Sequence, residues 1–292
     1  MKLLKINKGK PKSLAQRIVF GIIFLLFAAY AASMIYVGVF TFFSALKTHN
    51  EFVSKMFDLP SEWLFMNFVN AFDKVTHPAS GTNMVGMLIN SVWYTAGSTV
   101  LTIACSTTLA YAVSKYRFVG RNLIYSISLV MMILPIVGSL PAQYKLIMTL
   151  GIDNSPAILL TACSGFGFNF IVLYGFFQSL SWSYAEAAFI DGAGHLKTFV
   201  QVMLPQAMPS IVSLVILSAI GTWNDYQGPL LYLQNMPTLA VGLYEFQLNT
   251  VYDMDFPSLF AGLLISVLPV LVIFVVFQET IMSNTVAGGL KG

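Results

Sequence analysis

The sequence predicts an all-α protein that spans a membrane six times. Composition is the first observation: of 292 residues, 57% are hydrophobic and only 9% charged. A soluble domain carries about 25% charged residues, so this chain cannot cover its own surface in water. The second observation is a series of long apolar runs, each able to cross roughly 30 Å of hydrocarbon as a helix. The third is where the cations fall. With both termini on the cytoplasmic side, Lys2, Lys5, Lys8, Lys10, Lys12, Arg17, Lys115, Arg117, Arg121, Lys197 and Lys291 lie inside; Lys47, Lys55, Lys74 and Lys145 lie outside. Basic loops stay in the cytoplasm, so this bias fixes the orientation.

The runs place helices at about 18–43, 86–114, 122–148, 157–180, 207–233 and 258–282. The first is far longer than the core of a cleaved secretory signal, so it reads as a retained anchor behind a basic segment, 1–17. Residues 18–282 then form one membrane domain, followed by a cytoplasmic tail, 283–292. The loop at 47–84 is long and polar, with room for short amphipathic pieces such as Ser61–Phe72. Loop 115–121 is short and basic. The outer loop at 234–257 has no Lys or Arg but contains Glu245, Asp253 and Asp255. Breakers fall inside several spans: Pro135 and Pro141, Gly165, Gly167 and Gly175, Gly221, Gly228 and Pro229, and Pro269. They read either as close packing with ordinary kinks or as points of bending, and neighbours must satisfy the backbone groups they free.

Several chemistries find no support. Cys105 and Cys163 lie in apolar runs, where a thiol acts as a small hydrophobe. The three histidines are isolated. No G-x-x-x-x-G-K-[S/T], H-E-x-x-H or G-x-S-x-G is present, so neither a P-loop nor a familiar hydrolytic centre is encoded. A net charge of +3 on so apolar a chain gives no argument for nucleic acid.

One polar segment, 182–206, carries a specific pattern. Glu186-Ala187-Ala188 is followed after three residues by Gly192, and after nine more by Val202-Met203-Leu204-Pro205. Tyr184–Ile190 is a helix, with Glu186 in the first turn where an anion suits the helix dipole. Gly192 and Gly194 allow a sharp turn. His195–Met203 forms a second short helix that Pro205 ends, and Leu196, Phe199, Val200 and Met203 share one of its faces. The alanines keep the first helix thin enough to lie in a cleft on another protein. Taken alone, Glu186 could be a solvated acid on a connector.

This spacing resembles the coupling loop of permease subunits of ATP-binding-cassette importers. Further pieces are similar to the maltose-type carbohydrate branch and its smaller, second permease: Asn90-Ser91, Leu109–Phe118, Met131-Met132-Ile133-Leu134-Pro135, Leu150–Asn154, Trp223-Asn224-Asp225-Tyr226 with Pro229-Leu230, and Ala287-Gly288-Gly289-Leu290-Lys291-Gly292. The chain departs from that pattern at Ser181-Trp182, Gln227-Gly228 and Gln278-Glu279. The resemblance implies a type I importer transmembrane fold, alternating access, and a multi-pass place in a bacterial cytoplasmic membrane. It implies four kinds of partner: the lipid bilayer, a second homologous permease, two ATPase subunits that bind the ATP and Mg, and an extracytoplasmic substrate-binding protein. No cofactor and no catalysis are expected in this chain.

By the same resemblance, Glu186, Ala187, Ala188, Asp191, Gly192 and Gly194 couple to an ATPase, and Gly289 and Lys291 reach the ATPase interface. Polar and aromatic groups at membrane depth are candidates for the substrate pathway: Asn90, Tyr94, Asn169, Trp223, Asn224 and Asp225. Carboxylates and amides hydrogen-bond sugar hydroxyls, and aromatic faces stack on sugar rings. The same groups could instead hold helices together, because a carboxylate within the bilayer must face protein or water. Rival readings are an importer for glycerol phosphate, a polyamine or an amino acid, and an ion-driven secondary transporter. No Lys or Arg stands at membrane depth, which favours a neutral solute, and inverted repeats typical of secondary transporters are not visible.

Overall fold

The computed structural model describes residues 14–133, 140–253 and 255–289. Among them the only β feature is an isolated bridge between Thr76 and Asn83; the rest of the regular structure is helical. Four helices are long and apolar enough to cross a membrane, and a bent pair makes a fifth.

Helix α1 (Leu14–Ala45) exposes nearly its whole surface, as expected for an apolar rod whose solvent is lipid. It meets the rest of the chain at its C-terminal end, where Phe40 packs edge-on against Phe260. The following loop folds into α2 (His49–Ser54), capped by the Thr48 hydroxyl, and α3 (Met66–Lys74). Lys47 is only 1% exposed, yet its ammonium group donates to the carbonyls of Lys55 and Met56 at 2.8 and 2.9 Å. A buried cation is tolerable only with such partners.

Helix α4 (Met84–Lys115) is the centre of the bundle. It starts at an Asn83 cap and buries a face of small and hydroxyl side chains, among them Ser91, Thr95, Ser98, Thr99, Ser106, Thr107 and Ala110. Small residues let helix backbones approach closely where lipid supplies no hydrophobic drive to associate. Thr107 satisfies itself by donating to the Ile103 carbonyl at 2.6 Å.

The expected span 122–148 corresponds to α5 (Arg121–Ile133) and α6 (Leu140–Leu150); its junction, with Pro135, lies outside the described residues. The span at 157–180 is not one rod. A 3-10 helix, Pro156–Ser164, meets α7 (Phe168–Ser179) at 52°. Gly165 (φ +68°) and Gly167 (φ +98°) make the corner, adopting left-handed backbone that other residues avoid.

The E-A-A segment is α8 (Ser183–Ile190). Beyond it come α9 (His195–Thr198), a π-helical turn (Phe199–Met203) and α10 (Leu204–Asn224), which run together as one helix of 30 residues. Pro205 therefore does not end the second short helix, as its sequence context suggested. It stands inside that 30-residue run, just after the π-helical turn, and the helix continues through it. At the other end, the span expected over 207–233 stops at Asn224. Asp225 leaves helical geometry, and α11 (Gln227–Tyr232) restarts after it. The supposed loop at 234–257 holds a further helix, α12 (Leu239–Asp253), before α13 (Phe256–Gly289). The final stretch of α13 covers most of the segment expected as a tail.

Two side-chain pairs tie the 47–84 loop to this last region. Lys74 pairs with Asp255 at 2.6 Å, and His77 lies 3.0 Å from Glu245. Burial pushes the Asp255 carboxyl up, but the Lys74 ammonium and the Ser258 hydrogen bonds outweigh it and hold the carboxyl below its ordinary value. A depressed carboxyl stabilises the fold above its unfolded pKa and loses that contribution as pH falls through the folded value. Asp255→Asn should therefore lower thermal stability at pH 7, with the gap to the parent closing below about pH 4; melting curves of the detergent-solubilised protein across pH 3–7 read the effect.

Candidate functional site

The E-A-A helix is seated by aromatic rings. Trp182 lies edge-on against Tyr116 at 5.9 Å and against Phe189 at 5.9 Å. His195 meets Phe189 at 5.0 Å, and its Nδ1 is 3.0 Å from the Tyr116 hydroxyl. Phe199 stacks on Tyr111 at 4.6 Å. Both tyrosines stand at the C-terminal end of α4, so rings from that end clasp α8 and the start of the 30-residue helix. Lys115 adds a hydrogen bond from its ammonium to the Leu180 carbonyl.

The alanines do not divide as the sequence suggested. Ala185 and Ala188 are both buried, and Ala185 sits in a core cluster with residues such as Tyr111, Phe177 and Met203. Their small size lets α8 approach that core, and the outward face is Tyr184, Glu186, Ala187, Ile190 and Asp191. Ile190 is 86% exposed and Leu196 75%. Two large apolar side chains at a polar turn leave an unfilled contact surface. Of the four apolar residues expected to share one face, Met203 is buried and Phe199 half-buried, whereas Leu196 and Val200 point outward.

Asp191 caps α8, its N–H donating to the Ala187 carbonyl at 3.1 Å. Gly192 follows at φ +80° with open space where a Cβ would stand. Its need for glycine is conformational, not one of clearance. The Ala193 N–H returns to the Ala188 carbonyl at 2.9 Å, and Gly194 opens α9 with ordinary extended backbone.

The pathway candidates separate into three groups. Trp223 and Asn224 line a cavity of about 260 Å³ with Tyr226, Tyr244 and Gln247. Tyr226 and Tyr244 stack at 4.5 Å, and the Trp223 indole donates to the Ser266 carbonyl. No charged side chain lines this cavity. Tyr244 and Gln247 escaped the sequence reading because α12 was taken as loop. The only available signal was an aromatic and an amide three residues apart, on one helical face.

Asp225 and Tyr94 form the second group. Asp225 accepts from the N–H groups of Gln227 and Gly228 at 3.0 and 3.3 Å, so it caps α11. A Cβ on Gly228 would lie 2.9 Å from the Asp225 carboxylate and 3.7 Å from the Tyr94 hydroxyl, which explains the glycine there. The 21 residues of α10 extend about 31 Å between the E-A-A segment and this carboxylate. Asn90 and Asn169 make the third group, and both brace helices. Asn90 donates to the Pro237 carbonyl at 3.0 Å and accepts from the Trp93 indole; Asn169 donates to Ser218 on α10 at 3.1 Å. Gly289 is the last residue of α13; Lys291 lies outside the described residues.

Residues 105–281 match the family described as the binding-protein-dependent transport system inner membrane component. That match runs from the middle of α4 through α13 and includes the E-A-A segment. The chain belongs to this family. Among relatives of this permease, the diacetylchitobiose uptake system permease NgcG of Streptomyces coelicolor is 31% identical, covering 85% of this chain and 81% of the relative. The maltose/maltodextrin transport system permease MalG of Vibrio vulnificus is 31% identical over 78% and 79%. The arabinooligosaccharides transport system permease AraQ of Bacillus subtilis is 29% identical over 77% and 80%. The permease also shares its fold with a chain of a bacterial importer of the acidic polysaccharide alginate, with a TM-score of 0.76, 25% identity, and coverage of 92% of this chain and 99% of that one.

Within the permease, the two glycines of the E-A-A turn should respond differently to a methyl group. Gly192→Ala forces an L-residue into left-handed backbone and should cost about 1–2 kcal/mol locally. Gly194→Ala should be nearly neutral. Hydrogen exchange of peptides covering 183–203 distinguishes them, with faster exchange expected in the Gly192 variant alone.

Proposed function

We propose that this chain is a membrane-spanning permease subunit of an ATP-driven importer for a carbohydrate, an oligosaccharide in the first instance. The observation that carries the reading is the E-A-A helix held by rings from α4, with Glu186 and Ile190 facing outward at a polar turn. In this reading the outward face enters a groove on an ATPase subunit. ATP and Mg bind there and not in this chain. Two such ATPases, a second homologous permease and an extracytoplasmic substrate-binding protein complete the machine. Both termini and the E-A-A segment lie in the cytoplasm, consistent with the cation bias of the loops.

The coupling is mechanical. Movement of the ATPases shifts α8, and α8 is continuous in packing with the 30-residue helix that ends at Asn224. The 260 Å³ cavity lies at that far end. Its aromatic faces and the amides of Asn224 and Gln247 suit a neutral sugar ring, and the lack of a charged lining disfavours an anionic solute. Exchange between inward and outward states then follows as rigid helices tilt about bends such as the Gly165–Gly167 corner.

Glu186→Arg and Ile190→Asp should leave membrane insertion intact, since both side chains are exposed. Each should reduce ATP hydrolysis stimulated by the loaded binding protein by about tenfold, the result of losing roughly 1.4 kcal/mol at the contact. Parent-like stimulation and import in both variants would reduce the E-A-A segment to a connector. Separately, Gln247→Ala and Tyr244→Ala should slow uptake without changing the basal hydrolysis rate. Uptake assays in proteoliposomes, with the substrate identified from the binding protein, measure this.

A further inference from the structure

The short basic loop between α4 and α5 has no task in the coupling scheme. It borders an open surface pocket of about 470 Å³ lined by Arg117, Phe118, Gly120, Arg121, Asn122 and Leu123. Arg117 is exposed and Arg121 half-buried. Neither guanidinium has an ion-pair or hydrogen-bond partner among the described residues. Two cations of like sign beside one pocket favour an anion bound between them.

The loop's position says which anion. It follows the C-terminal end of α4, where Tyr116 touches Trp182 and His195, so it lies at the E-A-A side of the membrane domain. Gly120, at φ +92°, turns the chain, and Arg121 starts the apolar helix α5. Phe118, Val119 and Leu123 are exposed around the pocket. Cations at a helix end, surrounded by bare apolar side chains at the level where spans emerge, match an amphiphile: a negative head group with acyl chains beside it.

We propose that Arg117 and Arg121 bind the phosphate of an anionic phospholipid, with Asn122 completing the polar wall and Phe118, Val119 and Leu123 meeting its chains. A guanidinium suits this role because its planar fork matches phosphate oxygens in pairs and stays charged at any relevant pH. Basic pockets on this side of membrane proteins meet a surface rich in such lipids.

The test uses the full-length chain in nanodiscs of phosphatidylcholine and phosphatidylglycerol. After extraction into detergent, co-purified lipid is counted by mass spectrometry. The parent should retain phosphatidylglycerol in preference to phosphatidylcholine. Arg117→Gln with Arg121→Gln should retain about tenfold less, and the double change to Lys should fall between. Lys145→Gln, on α6 away from the pocket, should behave as the parent. Equal retention by the double Gln variant, or equal loss from Lys145→Gln, overturns the proposal. Displacement of the lipid by millimolar inorganic phosphate would assign the site to a free anion and also overturns it. If the Gln variant does not fold, a photoreactive phosphatidylglycerol is applied to the parent protein. Crosslinks within 117–123 support the site, and their absence there removes it.

Discussion

The fold depends on how closely other helices can approach α4. In lipid, apolar surface gains nothing by leaving hydrocarbon for another apolar surface, so association rests on packing and on polar contacts. The serines, threonines and alanines along α4 supply both. They let α7, α10 and the 3-10 segment come near, and some of their hydroxyls bond within the helix or across it, as Thr107 does to the Ile103 carbonyl and Thr102 to the Ala162 carbonyl, whereas Thr95, Thr99 and Ser106 serve by their small size. A larger residue on that face would hold the bundle apart. Gly97 shows how little room there is: a Cβ there would stand 2.6 Å from Leu159.

The same helix organises both functional regions. At its C-terminal end, Tyr111 and Tyr116 hold the E-A-A segment; near its N-terminal end, Asn90 and Ser91 hold the 237–239 turn that leads into α12. Helix α12 carries Tyr244 and Gln247 to the cavity. Asn90, expected as a pathway contact, instead fixes a neighbouring turn. Asp225 acts comparably, since its carboxylate orders the start of α11. Costly polar groups in a membrane domain are retained here for architecture as much as for contact with solute.

Much of this was legible because apolar length and turn chemistry are local. The extents of α1 and α4, the helix at 183–190 and the glycine turn follow from the residues within them. What escaped depends on distant partners. The break at Asp225 is set by its capping of α11, which a continuous apolar run conceals. Helix α12 was hidden by its acids, Glu245 above all, which are held by His77 far away in sequence. The inward orientation of Ala185 required knowing that it shares a core cluster with Tyr111 and Phe177. Pro205 misled because a proline need not end a helix: here a π-helical turn precedes it and the helix continues through both Pro205 and Pro209.

The unbroken run from His195 to Asn224 acts as an oar. It is about 45 Å long, gripped near one end by Phe199 against Tyr111 and held further along by Ser218 and Trp223, and it carries a π-helical turn and Pro209 before it ends at Asn224. If that grip is the fulcrum, a roll of about 5° displaces the far blade by roughly 3 Å, about the width of a water molecule. The short arm beside α8 moves by less than 1 Å. The large movement therefore takes place in the membrane domain, and the contact surface at the E-A-A turn needs to give only slightly.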